Sequence, residues 1–315
     1  MVTGILAGVT WALETVVLGI ALNMSPFLTT QQVMFLAPFV ATFLHDAFSS
    51  VFMFLYNLCT GQIKPLFRAL KNKKVLWVVL ASAIGGPIGM KGYVLAVNNL
   101  GASIGAVASA VYPAIGTVLA YFFLKEKVCW YQWIFLLLAL FGVYGLSYSP
   151  SVSVGNFWLG LVGALMCAFG WGVEAVILAK CLKDDDIKTE HALWVRQTTS
   201  FLIYGAIIIP CIKGWGFTVS LFAGGTGMLI PVIALAGLCA SVSYLFYYKT
   251  ISKVGASKAM ALNITYTAWA IVFTVLIVRD YSVLNPLTLI CAGVVVVCGI
   301  FAATDMKSLF NKVKK

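Results

Sequence analysis

Apolar residues run along this chain in blocks of about twenty, and the polar residues between them gather into short connections. A helix rises 1.5 Å per residue, so a block of that length matches the hydrocarbon thickness of a bilayer. The pattern predicts ten membrane-spanning helices, at roughly 3–22, 30–58, 75–96, 102–122, 129–147, 157–179, 190–212, 228–248, 256–277 and 284–302. The connections reach about fifteen residues at most, which leaves no room for a soluble domain. The expected class is an all-α integral membrane protein. Its second span, about 28 residues, is long enough to tilt or protrude. Pro38, Pro87, Pro113 and Pro231 fall inside expected spans, where each frees a backbone carbonyl and can kink the helix. Because Pro113 follows Tyr112, a bend there would aim that ring inward.

The chain repeats itself. Trp11-Ala12-Leu13-Glu14 returns as Trp171-Gly172-Val173-Glu174, with Trp and Glu one turn apart on one helix face. Leu100-Gly101-Ala102-Ser103 returns as Val254-Gly255-Ala256-Ser257, and the same offset carries Tyr93 onto Tyr247, Tyr112 onto Tyr266 and Ala114 onto Ala268. Two halves are expected, residues 1–150 and 151–305, followed by a basic cytoplasmic tail, 306–315. Five spans per half is an odd number, so the second half must enter the membrane from the other side. The architecture predicted is two five-helix inverted-topology repeats, with a substrate site near the midplane. The repeat is expected to bring together Trp11 with Trp171, Glu14 with Glu174, Tyr93 with Tyr247, and Tyr112 with Tyr266, around one cavity. Tyr244, Tyr248 and Trp269 lie close enough in sequence to add ring surface.

Composition agrees with the pattern: 62% of the 315 residues are hydrophobic, 10% are charged, and the mean hydropathy is +0.99. The net charge of +11 would suit a nucleic-acid partner if it formed a patch, so its placement decides. One side of the expected topology holds Lys64, Arg68, Lys71, Lys73 and Lys74; Lys125 and Lys127; Lys180, Lys183 and Lys188; Lys249, Lys253 and Lys258; and Lys307, Lys312, Lys314 and Lys315. The other side holds only Lys213 and Arg279, while Lys91 and Arg196 fall within spans. This asymmetry puts both termini in the cytoplasm and makes the excess charge topological, so no nucleic-acid partner is expected. The first span lacks a basic n-region and an A-x-A site and carries Glu14, so it is expected to be retained. The run Asp184-Asp185-Asp186 reads as a solvated loop. The eight cysteines form no C-x-x-C pair, and no metal or cofactor is indicated.

Carboxylates inside membrane spans are costly and therefore functional candidates. Glu14 and Glu174 occupy equivalent places beside Trp11 and Trp171, and a negative charge beside aromatic faces describes a cation site. The competing reading is an ion pair with Lys91 or Arg196. His45 and Asp46, mid-span in the second helix, read as a buried polar clamp involving Arg196 or Lys91, or as a group that titrates during transport. There is no H-E-x-x-H and no Cys/His cluster, which argues against an enzyme. Rings and acids together suit a quaternary ammonium, whose nitrogen cannot donate a hydrogen bond. An inside-negative potential draws such a cation inward by about 2.3 kcal/mol per 100 mV. Proton coupling would fall to Glu174, Glu14, His45 or Asp46.

Ten spans in two inverted halves resemble the drug/metabolite transporter superfamily of the EamA type, over essentially the whole chain. Gly86-Pro87-Ile88-Gly89-Met90, Tyr112-Pro113-Ala114-Ile115, Trp171-Gly172-Val173-Glu174, Arg196-Gln197-Thr198-Thr199-Ser200-Phe201-Leu202 and Leu262-Asn263-Ile264-Thr265-Tyr266 are similar to segments of LicB-type bacterial choline permeases. That resemblance implies proton-coupled choline import across the bacterial cytoplasmic membrane, for phosphocholine decoration of surface glycopolymers. It also implies an aromatic box from the first, sixth, eighth and ninth spans, falling on Trp11, Trp171, Tyr244 or Tyr247, and Tyr266. His45-Asp46 resembles a His-Asp pair in that family. Glu14 and Lys91 depart from it; if Lys91 neutralised Glu14, the anionic part of the site would rest mainly on Glu174. The alternatives are an exporter of metabolites or cationic drugs, and a scaffold or receptor that transports nothing.

Overall fold

The computed structural model describes residues 1–101, 110–147, 156–183, 187–223 and 227–305. The expected Asp184-Asp185-Asp186 loop, the tail 306–315 and the Ala102-Ser103 part of the repeated string lie outside them. Among the described residues all regular structure is helical. Among the described residues, helices overlap the expected spans at α1 Val2–Leu22, α2 Gln31–Cys59, α3 Lys74–Leu100, α4 Tyr112–Leu124, α5 Trp130–Leu146, α6 Phe157–Leu182, α7 Thr189–Cys211, α8 Leu229–Val254, α9 Ala256–Val278 and α10 Pro286–Ala303, and residues 102–109 of the expected fourth span lie outside the described ones. Eight are long and apolar enough to cross a bilayer, while α4 and α5, with 13 and 17 residues, are shorter. Two short helices, Ile63–Ala69 and Trp215–Ala223, lie in connections and were not anticipated.

Local chemistry sets several of these ends. The Thr30 hydroxyl caps α2 by accepting from the Val33 N–H, and Asn156 and Asn285 do the same for α6 and α10. Pro113 falls in the first turn of α4, a place where a missing N–H costs nothing. Pro87 sits in a π-helical turn, Ile84–Ile88, inside α3. Similar π turns lie at Tyr204–Ile208 in α7 and Thr274–Val278 in α9.

The helices pack in a pattern that repeats itself. α1 packs on α8 as α6 packs on α3; α4 packs on α6 as α9 packs on α1; α2 packs on α8 as α7 packs on α3. The pairs α5 with α10 and α2 with α7 map onto themselves. Exchanging α1–α5 for α6–α10 leaves these neighbours unchanged, as a pseudo-two-fold requires. The α3–α6 crossing is backbone against backbone. A Cβ on Gly92 would lie 2.6 Å from the Cys167 nitrogen, and one on Gly170 would lie 3.0 Å from the Gly89 Cα. Lipid tails are as apolar as leucine, so helix association in a membrane depends on such close fits. Large apolar side chains such as Trp77, Phe123, Phe141 and Trp158 point away from the bundle, as lipid-facing residues do.

Candidate functional site

A small cavity lies where α1, α4, α6, α8 and α9 converge. Trp11, Tyr112, Trp171, Glu174, Tyr244, Tyr247, Tyr248, Asn263 and Tyr266 line it, together with Ala175 and Leu178. Its volume is ≈ 50 Å³, room for a few water molecules at about 10–15 Å³ each. The helical period explains why these side chains face it. Trp171, Glu174, Ala175 and Leu178 recur at three- and four-residue steps along α6, and Tyr244, Tyr247 and Tyr248 along α8.

The rings form two clusters, each built around one tryptophan. Trp11 packs on Tyr244, Tyr247 and Tyr266, with centroids 4.9, 6.4 and 6.1 Å apart. Trp171 packs on Tyr93 and Tyr112, at 6.1 and 5.6 Å. Each tryptophan therefore docks between tyrosines of the other half, and the two tyrosine pairs are themselves repeat mates. Of the expected pairs, Trp11 with Trp171 and Tyr112 with Tyr266 share one cavity wall, although none of these ring contacts joins a residue to its own mate. The cross-contacts follow from an off-axis position, since a pseudo-two-fold carries such a residue to the far side and places it against its mate's neighbours. Tyr93 stands behind Trp171 and is not part of the lining, and neither are Trp269 and Glu14.

The acids belong to a buried polar chain that joins α1, α2, α7 and α6. His45 Nε2 lies 3.3 Å from Glu14 Oε1, and His45 Nδ1 lies 2.9 Å from Asp46 Oδ1. Asp46 Oδ2 is 3.9 Å from Arg196 Nη1, and Arg196 Nε donates to Glu174 Oε1 at 2.9 Å. These five residues are 3–9% exposed. Arg196 also donates to Gln197 Oε1 at 2.8 Å, Gln197 donates to the Ser49 hydroxyl at 2.8 Å, and the guanidinium carbon sits 4.7 Å from the Tyr244 ring centre. With the three carboxylates ionised and His45 protonated, the chain holds one excess negative charge.

Of the ion pairs considered from sequence, the one between Glu174 and Arg196 forms. Lys91 is exposed, and Glu14 is met by His45. The clamp on His45-Asp46 does involve Arg196, and the two side chains also contact each other.

Other features were not anticipated. Asn263 sits one turn before Tyr266; it donates from Nδ2 to the Tyr112 hydroxyl at 2.9 Å, while its Oδ1 and the Tyr248 hydroxyl are buried without a hydrogen-bond partner. A polar residue in an apolar span, one turn from a candidate ring, was the available signal. Glu174 and Trp171 rest on the glycines of α3. A Cβ on Gly85 would strike the Glu174 carboxylate, and one on Gly89 would lie 3.0 Å from the Trp171 indole nitrogen. A larger groove of ≈ 610 Å³ between α3, α4 and α6, with Trp77, Phe123 and Ile177 in its walls, opens on the apolar outer surface of the bundle.

Comparison with known proteins adds three likenesses. Residues 1–148 match the EamA-like transporter family. Over 254 residues the chain is 27% identical to Protein LicB of Haemophilus influenzae (strain ATCC 51907 / DSM 11121 / KW20 / Rd), covering 78% of this chain and 84% of that protein. A crystal structure of a protein 15% identical in sequence aligns over 100% of both chains with a TM-score of 0.71, which shows a shared fold.

Proposed function

We propose that this chain, an EamA-type transporter and a distant relative of LicB, imports choline or a similar quaternary ammonium ion by alternating access. In this reading the ten helices form two inverted five-helix repeats, with both termini in the cytoplasm of a bacterial cell. The observation that carries it is the shared cavity: Trp11, Trp171, Tyr112, Tyr244, Tyr247 and Tyr266 face one space, with Glu174 in its wall. A monovalent cation entering there would cancel the excess negative charge of the buried chain. A proton on Glu14, Asp46 or Glu174 would cancel the same charge, and His45 lies between the first two, which supports coupling through this chain. The cavity is tighter than a choline molecule, so the ring walls must part to admit one. In the same lining, Asn263 Oδ1 and the Tyr248 hydroxyl, buried without a hydrogen-bond partner among the described residues, suit a substrate hydroxyl.

Uptake of labelled choline into proteoliposomes with an inside-negative potential is the direct test, with a lumenal pH dye reporting proton movement. Cation efflux against a proton gradient, without potential-dependent uptake, would make the protein an exporter; no ligand-dependent thermal stabilisation by any small cation would make it a non-transporter.

Two substitutions probe the box. Trp171→Ala is expected to weaken choline binding by about 1–2 kcal/mol, roughly 5–30-fold in Kd by calorimetry. Unchanged affinity in folded protein would remove the indole from the site. Asn263→Ala is expected to lower choline affinity by about 0.5–1.5 kcal/mol while sparing tetramethylammonium, which has no hydroxyl. An equal loss for both ligands would instead mean that the cavity wall had collapsed.

A further inference from the structure

One pair of repeat-equivalent residues is in two different situations. Lys125-Glu126 follows α4 and Arg279-Asp280 follows α9, at the offset that relates Tyr93 to Tyr247, Gly101 to Gly255 and Tyr112 to Tyr266. The backbones agree: Lys125 and Arg279 are both left-handed, with φ of 55° and 60°, as are Gly101 at 82° and Gly255 at 91°. The side chains do not. Glu126 reaches from the first half to the second, where Oε1 accepts from the Ala256 N–H at 2.8 Å and Oε2 accepts from the Ser257 N–H at 3.1 Å and from the Ser257 hydroxyl. It thereby caps the start of α9. The fit is close enough that a Cβ on Gly255 would lie 2.6 Å from Glu126 Oε1. Asp280 is fully exposed and stays within its own turn, accepting from the Ser282 N–H at 2.9 Å and the Ser282 hydroxyl at 2.6 Å.

We propose that Glu126 is a positioning residue: it clasps α9 to the first half in this conformation and releases it in the opposite-facing one. The clasp acts on the cavity through α9, which carries Asn263 and Tyr266. Asn263 is tied to Tyr112 on α4, the helix that Glu126 follows, so α4 and α9 are joined at two levels. Opening the outer joint leaves the inner one as a pivot beside the cavity. A carboxylate on two helix-end N–H groups and a hydroxyl is a firm contact, and because it is only partly buried, water can take over its donors on release. Two inverted repeats that exchange conformations need contacts that one state makes and the other releases, and the exposed Asp280 is the unengaged counterpart of Glu126. The inference rests on the proposed repeat but not on which cation is carried.

The test follows a distance. Spin labels at Lys127→Cys and Lys253→Cys, in liposomes and with the exposed Cys59 and Cys211 replaced by serine, report the separation of the clasped segments. Two distances are expected, with the longer population raised about threefold or more by Glu126→Gln. A single distance in both proteins, or two distances indifferent to Glu126→Gln, overturns the proposal. A Glu126→Cys/Ser257→Cys disulfide separates a moving clasp from a fixed helix cap. It is expected to lower choline uptake about tenfold or more, with recovery on reduction, because the locked state cannot exchange. Full uptake by the oxidised protein overturns the proposal. Should wild-type protein take up no choline, the substrate reading fails, and the spin-label distances still decide the clasp.

Discussion

Arg196→Leu is expected to destabilise the protein by about 3–5 kcal/mol, read as a lowered thermal-unfolding midpoint in detergent. The cost arises because Arg196 is the positive group between Glu174, at 2.9 Å, and Asp46, at 3.9 Å, at a buried site. Removing it leaves Glu174 buried without its guanidinium and Asp46 with His45 alone. Arg196→Lys should rescue only part of the loss, since an ammonium cannot bond Glu174 and Gln197 at once and also lie over the Tyr244 ring. The double change Arg196→Gln/Glu174→Gln should recover much of it, because the partners are removed together. An unchanged midpoint for Arg196→Leu would mean that the ion pair does not form in the folded protein.

Gly85→Ala is the second large effect, expected to cost about 1–3 kcal/mol and to depress transport further than that loss alone explains. The added methyl would fall on the Glu174 carboxylate and lie 2.8 Å from the Glu174 Cβ, so rotating the carboxylate away does not clear it. Either α3 and α6 separate or Glu174 leaves Arg196. Gly293→Ala is the control, as its Cβ would meet nothing within 4 Å and alanine is the better helix former. If Gly85→Ala transports as well as Gly293→Ala, the glycine seat beneath Glu174 has no part in transport.

These two predictions differ in how far the sequence leads to them. Arg196 was visible as a basic residue in an apolar span with Glu174 as one possible partner. The sequence offered Lys91 equally, and the lysine proved exposed. Spacing along a helix tells which face a residue occupies, but not how far that helix is turned toward its neighbours. Gly85 was legible only as a small residue suited to helix contact; that the contact is a carboxylate depends on the depth at which α3 crosses α6. The rings show the same division. Self-similarity identified Trp11 with Trp171 and Tyr112 with Tyr266, yet Trp11 touches Tyr266 and Trp171 touches Tyr112. Equivalence under an axis is a statement about environment, and only residues on the axis touch their own mates.

The all-helical class and the apolar helices long enough to cross a bilayer could be read from the linear chain, because apolar length is a one-dimensional property imposed by a slab-like solvent. The pairing of Glu174 with Arg196 and Glu14 with His45, the cross-docking of the tryptophans, and the tie of Glu126 to α9 came from packing. Each joins residues far apart in the chain through helix rotations and crossing depths that close glycine contacts set, and those quantities have no counterpart in local spacing.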